Sequence, residues 1–249
     1  MLAAFIATMT LAAAEAASDS ASPVYEMRVY YSPEGKLDNL HARFRDHTLR
    51  IFEKHGIKSV AYFVPAGENP EHKLIYFLSF PSRAAREKAW KEFFADPEWQ
   101  KAARESEANG KIVQKVENYF LTPTDYSPKL DPHQSAGPLF ELRTYRTPEG
   151  KLEKLDERFK EHTMELFKKH GMENLIYWHK MSDQKDAETT LVYLLGHKDK
   201  ASFEKSWDGF RQDPEWVKAK TASEKEGALT VGGGVKSELL VPTDYSPLK

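Results

Sequence analysis

The chain consists of two copies of one unit, and this internal repeat constrains its fold more than any other feature. Tyr25–Tyr30 (YEMRVY) recurs 115 positions later as Phe140–Tyr145 (FELRTY). A repeat that keeps its register over a whole unit indicates duplication of a complete structural unit. The offset between the copies is 117 for Asp96–Trp99 and Asp213–Trp216. It is 119 for Pro123–Pro128 and Pro242–Pro247.

The repeat divides the 249 residues into four parts. We predict a first unit over residues 23–128, a linker over 129–137 and a second unit over 138–249. The linker is short and contains proline, glycine and polar residues, so the two units should stay close together. Residues 1–22 precede the repeat.

Residues 1–22 predict a signal peptide and spacer. Met1–Ala14 is an apolar run too short to span a bilayer easily, and the small residues Ala14 and Ala16 fit a cleavage site. A basic segment at the start is missing, because no lysine or arginine precedes Arg28. A disordered alanine-rich tail is the alternative. We expect an exported protein, periplasmic or extracellular, with no stable membrane span.

Composition excludes several classes of function. A net charge of −2 does not favour binding to nucleic acid. The absence of cysteine excludes disulfides, thiol catalysis and cysteine-based metal sites. No H-E-x-x-H spacing occurs, so we predict no dedicated metal site. Gly232–Gly234 lacks the lysine of a phosphate-binding loop and predicts a bulge or kink in the last strand.

Each unit has the element order β-α-β-β-α-α-β. Helical spacing of apolar residues over Lys36–His55 predicts the first helix. Ser82 and Asp199 are matched N-cap residues for the second helix, and Asp96 followed by Pro97 begins a third. This order predicts an α+β protein with a ferredoxin-like arrangement in each unit.

The second and third strands indicate how the units pack. Val60–Val64 and Leu74–Leu78 are apolar at both odd and even positions, which is typical of strands buried on both faces. The free faces of the two sheets should therefore pack against each other, or curl into a barrel. We predict two tandem ferredoxin-like domains packed as an intrachain pseudo-dimer.

The first strand of each unit has one apolar and one polar face. Tyr25, Met27 and Val29 share the apolar face, which we expect to carry the helices. The polar face should then line the enclosed interior as a pocket for a small organic ligand, unless its groups form only a structural ladder of ion pairs and tyrosines. The predicted ligand-binding residues are Glu26, Arg28, Tyr30, Glu141, Arg143 and Tyr145.

His47 and His162 are the candidate catalytic residues. They occupy matched positions at the margin of the apolar arc of the first helix. The ordinary role of such a histidine is a hydrogen bond at the boundary between helix and sheet. The alternative is a side chain that points into a cavity as an acid–base group or haem ligand.

In its repeated motifs, the chain resembles the NIPSNAP family. The resemblance rests on Tyr25–Tyr30, Pro33–Leu37 (PEGKL), Lys54–Gly56 (KHG) and Asp96–Trp99 (DPEW), all of which recur in the second copy. It implies a ferredoxin-like domain of the dimeric α/β-barrel superfamily, in which single-domain relatives form the barrel by dimerising. That superfamily includes cofactor-free monooxygenases and haem-binding enzymes, whereas bacterial NIPSNAP members mostly lack an assigned activity.

Two hypotheses for function follow. The first is an exported binding or interaction module that uses the interior between the sheets and needs no cofactor. The second is a barrel-type oxidoreductase, either a cofactor-free monooxygenase or a haem-dependent enzyme, in which His47 or His162 takes part. Homo-oligomerisation through the outer helical surface is a further expectation.

Overall fold

The computed structural model describes residues 23–134 and 136–249, so the predicted signal peptide and spacer lie outside the described residues. The first half has the predicted element order. Its strands are β1 (Val24–Tyr31), β2 (Lys58–Pro65), β3 (Lys73–Phe80) and β4 (Lys115–Pro123). Its α-helices are α1 (Leu37–Arg43), α2 (Leu49–Lys54), α3 (Arg83–Ala95) and α4 (Pro97–Ser106).

The second half repeats this order. Its strands are β5 (Leu139–Arg146), β6 (Glu173–Lys180), β7 (Thr190–His197) and β8 (Val235–Pro242). Its α-helices are α5 (Leu152–Arg158), α6 (Met164–Lys169), α7 (Lys200–Gln212) and α8 (Pro214–Ser223), and Ala187–Thr189 forms a short 3₁₀ turn before β7.

The helix predicted over Lys36–His55 is present, with a π-helical turn in its middle. Phe44–Thr48 joins α1 to α2 in this wider conformation, and Phe159–Thr163 does the same in the second half. A π-helical turn breaks the regular hydrogen-bond ladder of an α-helix. The Thr48 hydroxyl donates to the carbonyl of Arg43 at 3.0 Å, so a side chain partners one of the carbonyls there.

The predicted helix ends are confirmed. Ser82 Oγ accepts from the backbone N–H of Ala85 at 3.1 Å at the start of α3, and Asp199 caps α7 in the same way. Gly56 follows the end of α2 with φ of 70°, a conformation that glycine adopts without steric cost.

The eight strands close into a single antiparallel barrel. Their order around it is β1-β3-β2-β8-β5-β7-β6-β4. The halves join where β2 pairs with β8 and where β4 pairs with β6. Each junction consists of three residue pairs, and because each half pairs with the edge strands of the other, the two units form one closed sheet rather than separate domains.

Three apolar clusters stabilise this arrangement. One lies inside the barrel and draws on both halves, with Phe77 and Trp178 stacked at 5.2 Å between ring centroids. The other two lie between the barrel and the helices, one for each half. Phe52 and Phe167 occupy matched positions in these outer clusters.

One end of the barrel is closed by segments outside the sheet. Leu130 and Ala136 of the linker and Leu248 are buried in the interior cluster. The N–H of Ala136 donates to the carbonyl of Lys249 at 2.8 Å, which ties the linker to this second segment. In the part of the chain that the structure describes, the barrel therefore opens to solvent at its other end.

Both places where the second half has extra residues lie at the open end. The connection from β6 to β7 is two residues longer than that from β2 to β3. Gly232 and Gly233 form a turn in front of β8, in which the N–H of Gly234 donates to the carbonyl of Val231 at 2.8 Å. The glycines therefore precede the last strand, and the bulge or kink predicted within it was wrong.

Across the described ranges, no helix combines the length and apolarity needed to cross a bilayer.

Candidate functional site

The acidic residue of the first strand is buried beneath the helices of its own half. Glu26 accepts hydrogen bonds from Arg28 at 2.5 Å, from Arg86 at 2.8 and 2.9 Å, and from Trp90 at 2.9 Å. Arg86 and Trp90 belong to α3, which lies outside the barrel. Burial alone would raise the pKa of the Glu26 carboxyl, but the hydrogen bond from Arg86 and the charges of Arg28 and Arg86 hold that pKa below its usual value.

The second half repeats this arrangement with one exchange. Glu141 accepts from Arg143 at 2.5 Å and from Trp207 at 2.9 Å, and the Nε2 atom of His197 lies 3.1 Å away. His197 thus takes the place of Arg86 as the second basic partner. Burial opposes ionisation of Glu141, while the hydrogen bond with His197 and the charge of Arg143 lower its pKa overall.

The tyrosines complete a row of three residues in each half. Arg28 donates to the Tyr30 hydroxyl at 3.3 Å, and Arg143 donates to the Tyr145 hydroxyl at 3.0 Å. These rows lie on the outer face of the barrel, so the prediction that they line its interior was wrong.

The Glu-Arg-Tyr rows face outward because α3 and α7 supply the partners that the buried carboxylates need, while the apolar faces of both halves meet inside the barrel. These contacts match the alternative prediction, which was a structural ladder of ion pairs and tyrosines. A ligand-binding role stays an untested prediction for the six residues Glu26, Arg28, Tyr30, Glu141, Arg143 and Tyr145.

The two candidate histidines lie in the π-helical turns on the outer helices. His47 is half-buried, and the side chain of His162 is 50% exposed beside Glu161. Neither borders the barrel cavity. His162 instead lines two open pockets between the outer helices. A catalytic role for His47 and His162 stays an untested prediction, and neither would be a ligand of a haem held inside the barrel.

The barrel interior contains a cavity of about 790 Å³ that opens where β1 and β5 end. Its size falls within the range of pockets that hold small organic molecules. The side chains deepest in it are apolar, so the floor suits a hydrophobic group. These floor residues are Met27, Val29, Ile75, Leu121, Leu142 and Val192.

One wall of the cavity carries two phenols that share a carboxylate. Tyr31 and Tyr119 both donate to Glu117 Oε2, at 3.2 and 3.1 Å, and Lys115 binds the other oxygen of Glu117 at 2.5 Å. Burial and the charge of Glu117 raise the pKa of Tyr119 to about 12. This phenol therefore stays protonated at neutral pH.

The wall from the second half is basic, and it adjoins the phenolic wall at Lys180 because β6 pairs with β4. Arg146, Lys180 and Lys236 border the opening, together with Asp186 of the longer β6–β7 connection. Asp186 has φ of 61°, a left-handed conformation that aspartate tolerates better than most residues, and it pairs with Arg146 at 3.5 Å. The cavity thus combines an apolar floor, a phenolic wall and a cationic wall.

Sequence reasoning missed these residues, although a signal was present. The outward rows are nearly identical in the two copies, as Glu26 and Glu141 illustrate. The inward positions differ: Tyr31 corresponds to Arg146 in β5, and Glu117 corresponds to Lys236 in β8. Differences between copies therefore mark the face on which a single asymmetric ligand would lie.

Within residues 23–134 and 136–249, no three histidine, aspartate or glutamate side chains are grouped as a metal site would require.

The fold and cavity define an eight-stranded barrel with outer helices and an interior open at one end. The chain belongs to the NIPSNAP family, whose pattern it matches over residues 25–128 and 140–247. A search of curated proteins finds no match.

Several solved structures resemble the chain. An anthrone oxidase-like protein superimposes with a TM-score of 0.55 at 13% identity, over 89% of this chain and 92% of that one. A proposed monooxygenase from Lactobacillus acidophilus NCFM gives 0.54 at 11% identity, over 89% and 94%. A NIPSNAP family protein from Agrobacterium tumefaciens str. C58 is 24% identical over 43% of this chain and 97% of its own, with a TM-score of 0.38. At these identities, the first two likenesses establish the barrel fold alone.

Proposed function

We propose that this NIPSNAP-family chain binds a small organic molecule inside its barrel. The observation that carries the proposal is the cavity of about 790 Å³, with an apolar floor, polar walls and one open end. A closed barrel of this strand number encloses space for one small ligand. The buried Glu-Arg-Tyr rows then support the walls from outside rather than contacting the ligand.

We further propose that the two halves are ferredoxin-like units packed as an intrachain pseudo-dimer. The strand order β4-β1-β3-β2 in the first half, matched by β8-β5-β7-β6 in the second, supports this description. It explains why the cavity lies between the halves and draws its walls from both.

Binding is tested with phenylnaphthylamine, an uncharged dye that fluoresces in apolar surroundings. The native protein should bind one dye molecule saturably. Val29→Trp combined with Val192→Trp fills the floor from both halves and should abolish binding. Val217→Trp, on an exposed position of α8, is the matched control and should bind as the native protein does. Unsaturable binding, or full binding by the double variant, would contradict the proposal.

A barrel-type oxidoreductase is the second candidate. It is supported by the names of the two barrel structures that cover 89% of this chain and by the phenols Tyr31 and Tyr119 at the cavity wall. Oxygen consumption with anthrone as the probe tests it, with the cavity-filling double variant as control. A haem-dependent form no longer has His47 or His162 as ligands inside the barrel, and the absence of a Soret band after incubation with haemin would remove it.

Export also remains a proposal, supported by the apolar run Met1–Ala14 and the small residues Ala14 and Ala16. Terminal sequencing of protein recovered outside the cytoplasm should give a chain that begins near Ala17. Recovery of chains that retain Met1 would contradict it.

A further inference from the structure

Most charged groups around the opening of the cavity are paired with a partner of opposite sign. Lys73 binds Glu238 at 2.6 Å, and Arg146 pairs with Asp186 at 3.5 Å. Glu117 is neutralised by Lys115. These pairs account for every carboxylate that lines the cavity.

Two lysines of the cavity lining remain without an ion pair in the described part of the chain. Among the residues that the structure describes, neither Lys180 nor Lys236 has a carboxylate oxygen within 4.0 Å. Lys180 Nζ donates to the carbonyl of Lys185 at 3.1 Å and lies 5.4 Å from the ring centroid of Tyr119. Lys180 is half-buried in the wall, whereas Lys236 is exposed at the opening.

The surroundings of Lys180 disfavour its positive charge. Burial is the largest cause of its lowered pKa, and the cations of Arg146 and Lys185 add to the effect, although Asp186 opposes it. A half-buried cation beside another cation gains when an anion approaches. The cavity therefore has one place where a negative charge would be stabilised.

This place exists in one half only. Pro65 ends β2 where Lys180 ends β6, and Glu117 occupies the position in β4 that Lys236 has in β8. The two segments of extra residues in the second half also flank this wall, since Asp186 and Gly234 both line the cavity. A pseudo-two-fold barrel thus has one cationic wall, from the second half, and one phenolic wall, from the first.

We infer that the cavity selects organic anions: the apolar body of the ligand lies on the floor, and its carboxylate or sulfonate group lies against Lys180, with Lys236 at the opening. This inference rests on the proposed binding function and adds the chemical class of the ligand. Tyr119 of the phenolic wall lies beside the position of the acidic group, since its ring centroid is 5.4 Å from Lys180 Nζ.

Two dyes that differ only by an acidic group test the inference. Anilinonaphthalene sulfonate has the skeleton of phenylnaphthylamine plus one sulfonate. The native protein should bind the sulfonate at least roughly tenfold more tightly. Lys180→Met combined with Lys236→Met should remove this preference by weakening the binding of the sulfonate, and its circular dichroism spectrum should match that of the native protein, which verifies that the barrel is folded. Lys180→Arg, which keeps the charge, should retain the preference.

The control is Lys88→Met combined with Lys200→Met, which changes the net charge equally but on the outer helices, and it should leave the preference intact. If both dyes bind the native protein equally, or the preference survives in the Lys180 and Lys236 double variant, the anion inference is wrong and the binding function stands. If neither dye binds, the proposed function and the inference both fail.

Discussion

Glu26 and Glu141 each hold a buried carboxylate at the centre of a helix–sheet interface. Each is fully buried and receives at least three hydrogen bonds from basic and indole groups. Removal of one partner from a buried ion pair is costly because the other charge is left uncompensated. The identity of the remaining partner then decides how large the cost is.

Glu26→Gln should therefore destabilise the protein more than Glu141→Gln. The first leaves two guanidinium groups, Arg28 and Arg86, which stay charged, and should cost about 3–5 kcal/mol of unfolding free energy. The second leaves one guanidinium group, Arg143, so its cost should be smaller. Urea unfolding of both variants at neutral pH measures the difference, and equal losses would argue against this view.

Stability should fall in acid because both carboxyls have a lowered pKa in the folded protein. Their contribution is complete above the pKa of an unfolded glutamate, about 4.3, and is lost as the pH falls from there through the folded pKa. Glu26→Gln should flatten the slope of stability against pH below that value, by up to about 1.4 kcal/mol per pH unit. Unfolding measured across acidic pH checks this, and an unchanged slope in Glu26→Gln would refute it.

The outward orientation of Glu26 could have been predicted from Trp90, which donates to it. A buried tryptophan needs an acceptor for its indole N–H, and Trp90 and Trp207 occur at matched positions of the repeat. The nearest acceptors are Glu26 and Glu141, which fixes the polar face of β1 and β5 beneath the helices. Strand alternation gave the two faces correctly but did not show which of them was inside.

At the scale of elements, the linker explains one difference between the halves. Gly196 of β7 lies against the linker, and a Cβ atom there would be 2.7 Å from the carbonyl oxygen of Ala136. Ser79 holds the matching place in β3. Glycine in β7 thus allows the linker to close the barrel.

Gly196→Ala should destabilise the protein by about 1–3 kcal/mol, because a backbone atom would have to move. Ser79→Ala is the matched control and should change stability by no more than about 0.5 kcal/mol. Thermal and urea unfolding provide the comparison. A Gly196→Ala variant as stable as the control would show that the linker adapts freely.

Helix ends and lengths followed from the sequence, whereas the π-helical turns did not. Ser82, Asp96 and Gly56 have side chains or backbone freedom that specify a local conformation. The turn at Phe44–Thr48 instead depends on how its helix packs on the barrel, and apolar spacing alone does not distinguish it from an α-helix.

At the scale of the molecule, each half supplies what the other lacks. The first half alone would leave β2 and β4 as open edges and would expose the apolar floor residues of its side of the cavity. Unpaired edges and exposed apolar surface favour association.

Residues 23–128 expressed alone should therefore form a dimer rather than a stable monomer. Light scattering after size-exclusion chromatography distinguishes the two states, and the full chain serves as control for a barrel closed within one molecule. A well-folded monomer of this fragment would show that closure by the second half is dispensable. Homo-oligomerisation of the full chain through its helices stays a prediction for the same measurement.

The duplication and a closed arrangement were predictable because repeat register and strands apolar on both faces depend on local sequence. The cavity was not, because Lys180, Tyr119 and Arg146 come together only through the pairing of β4 with β6 and the closure of the barrel. Such contacts between distant segments leave no local pattern within either copy, and only a comparison of the two copies, such as Tyr31 with Arg146, marks the inward face.

The unlike walls of this barrel bear on the orientation of a bound molecule. Two identical chains related by a rotation axis along a barrel present every inward group twice, so a ligand on the axis meets the same surroundings after half a turn about it. In this fused chain Tyr31 of the first half corresponds to Arg146 of the second, and that equivalence is lost. A ligand bound on the axis would therefore have one preferred rotational orientation.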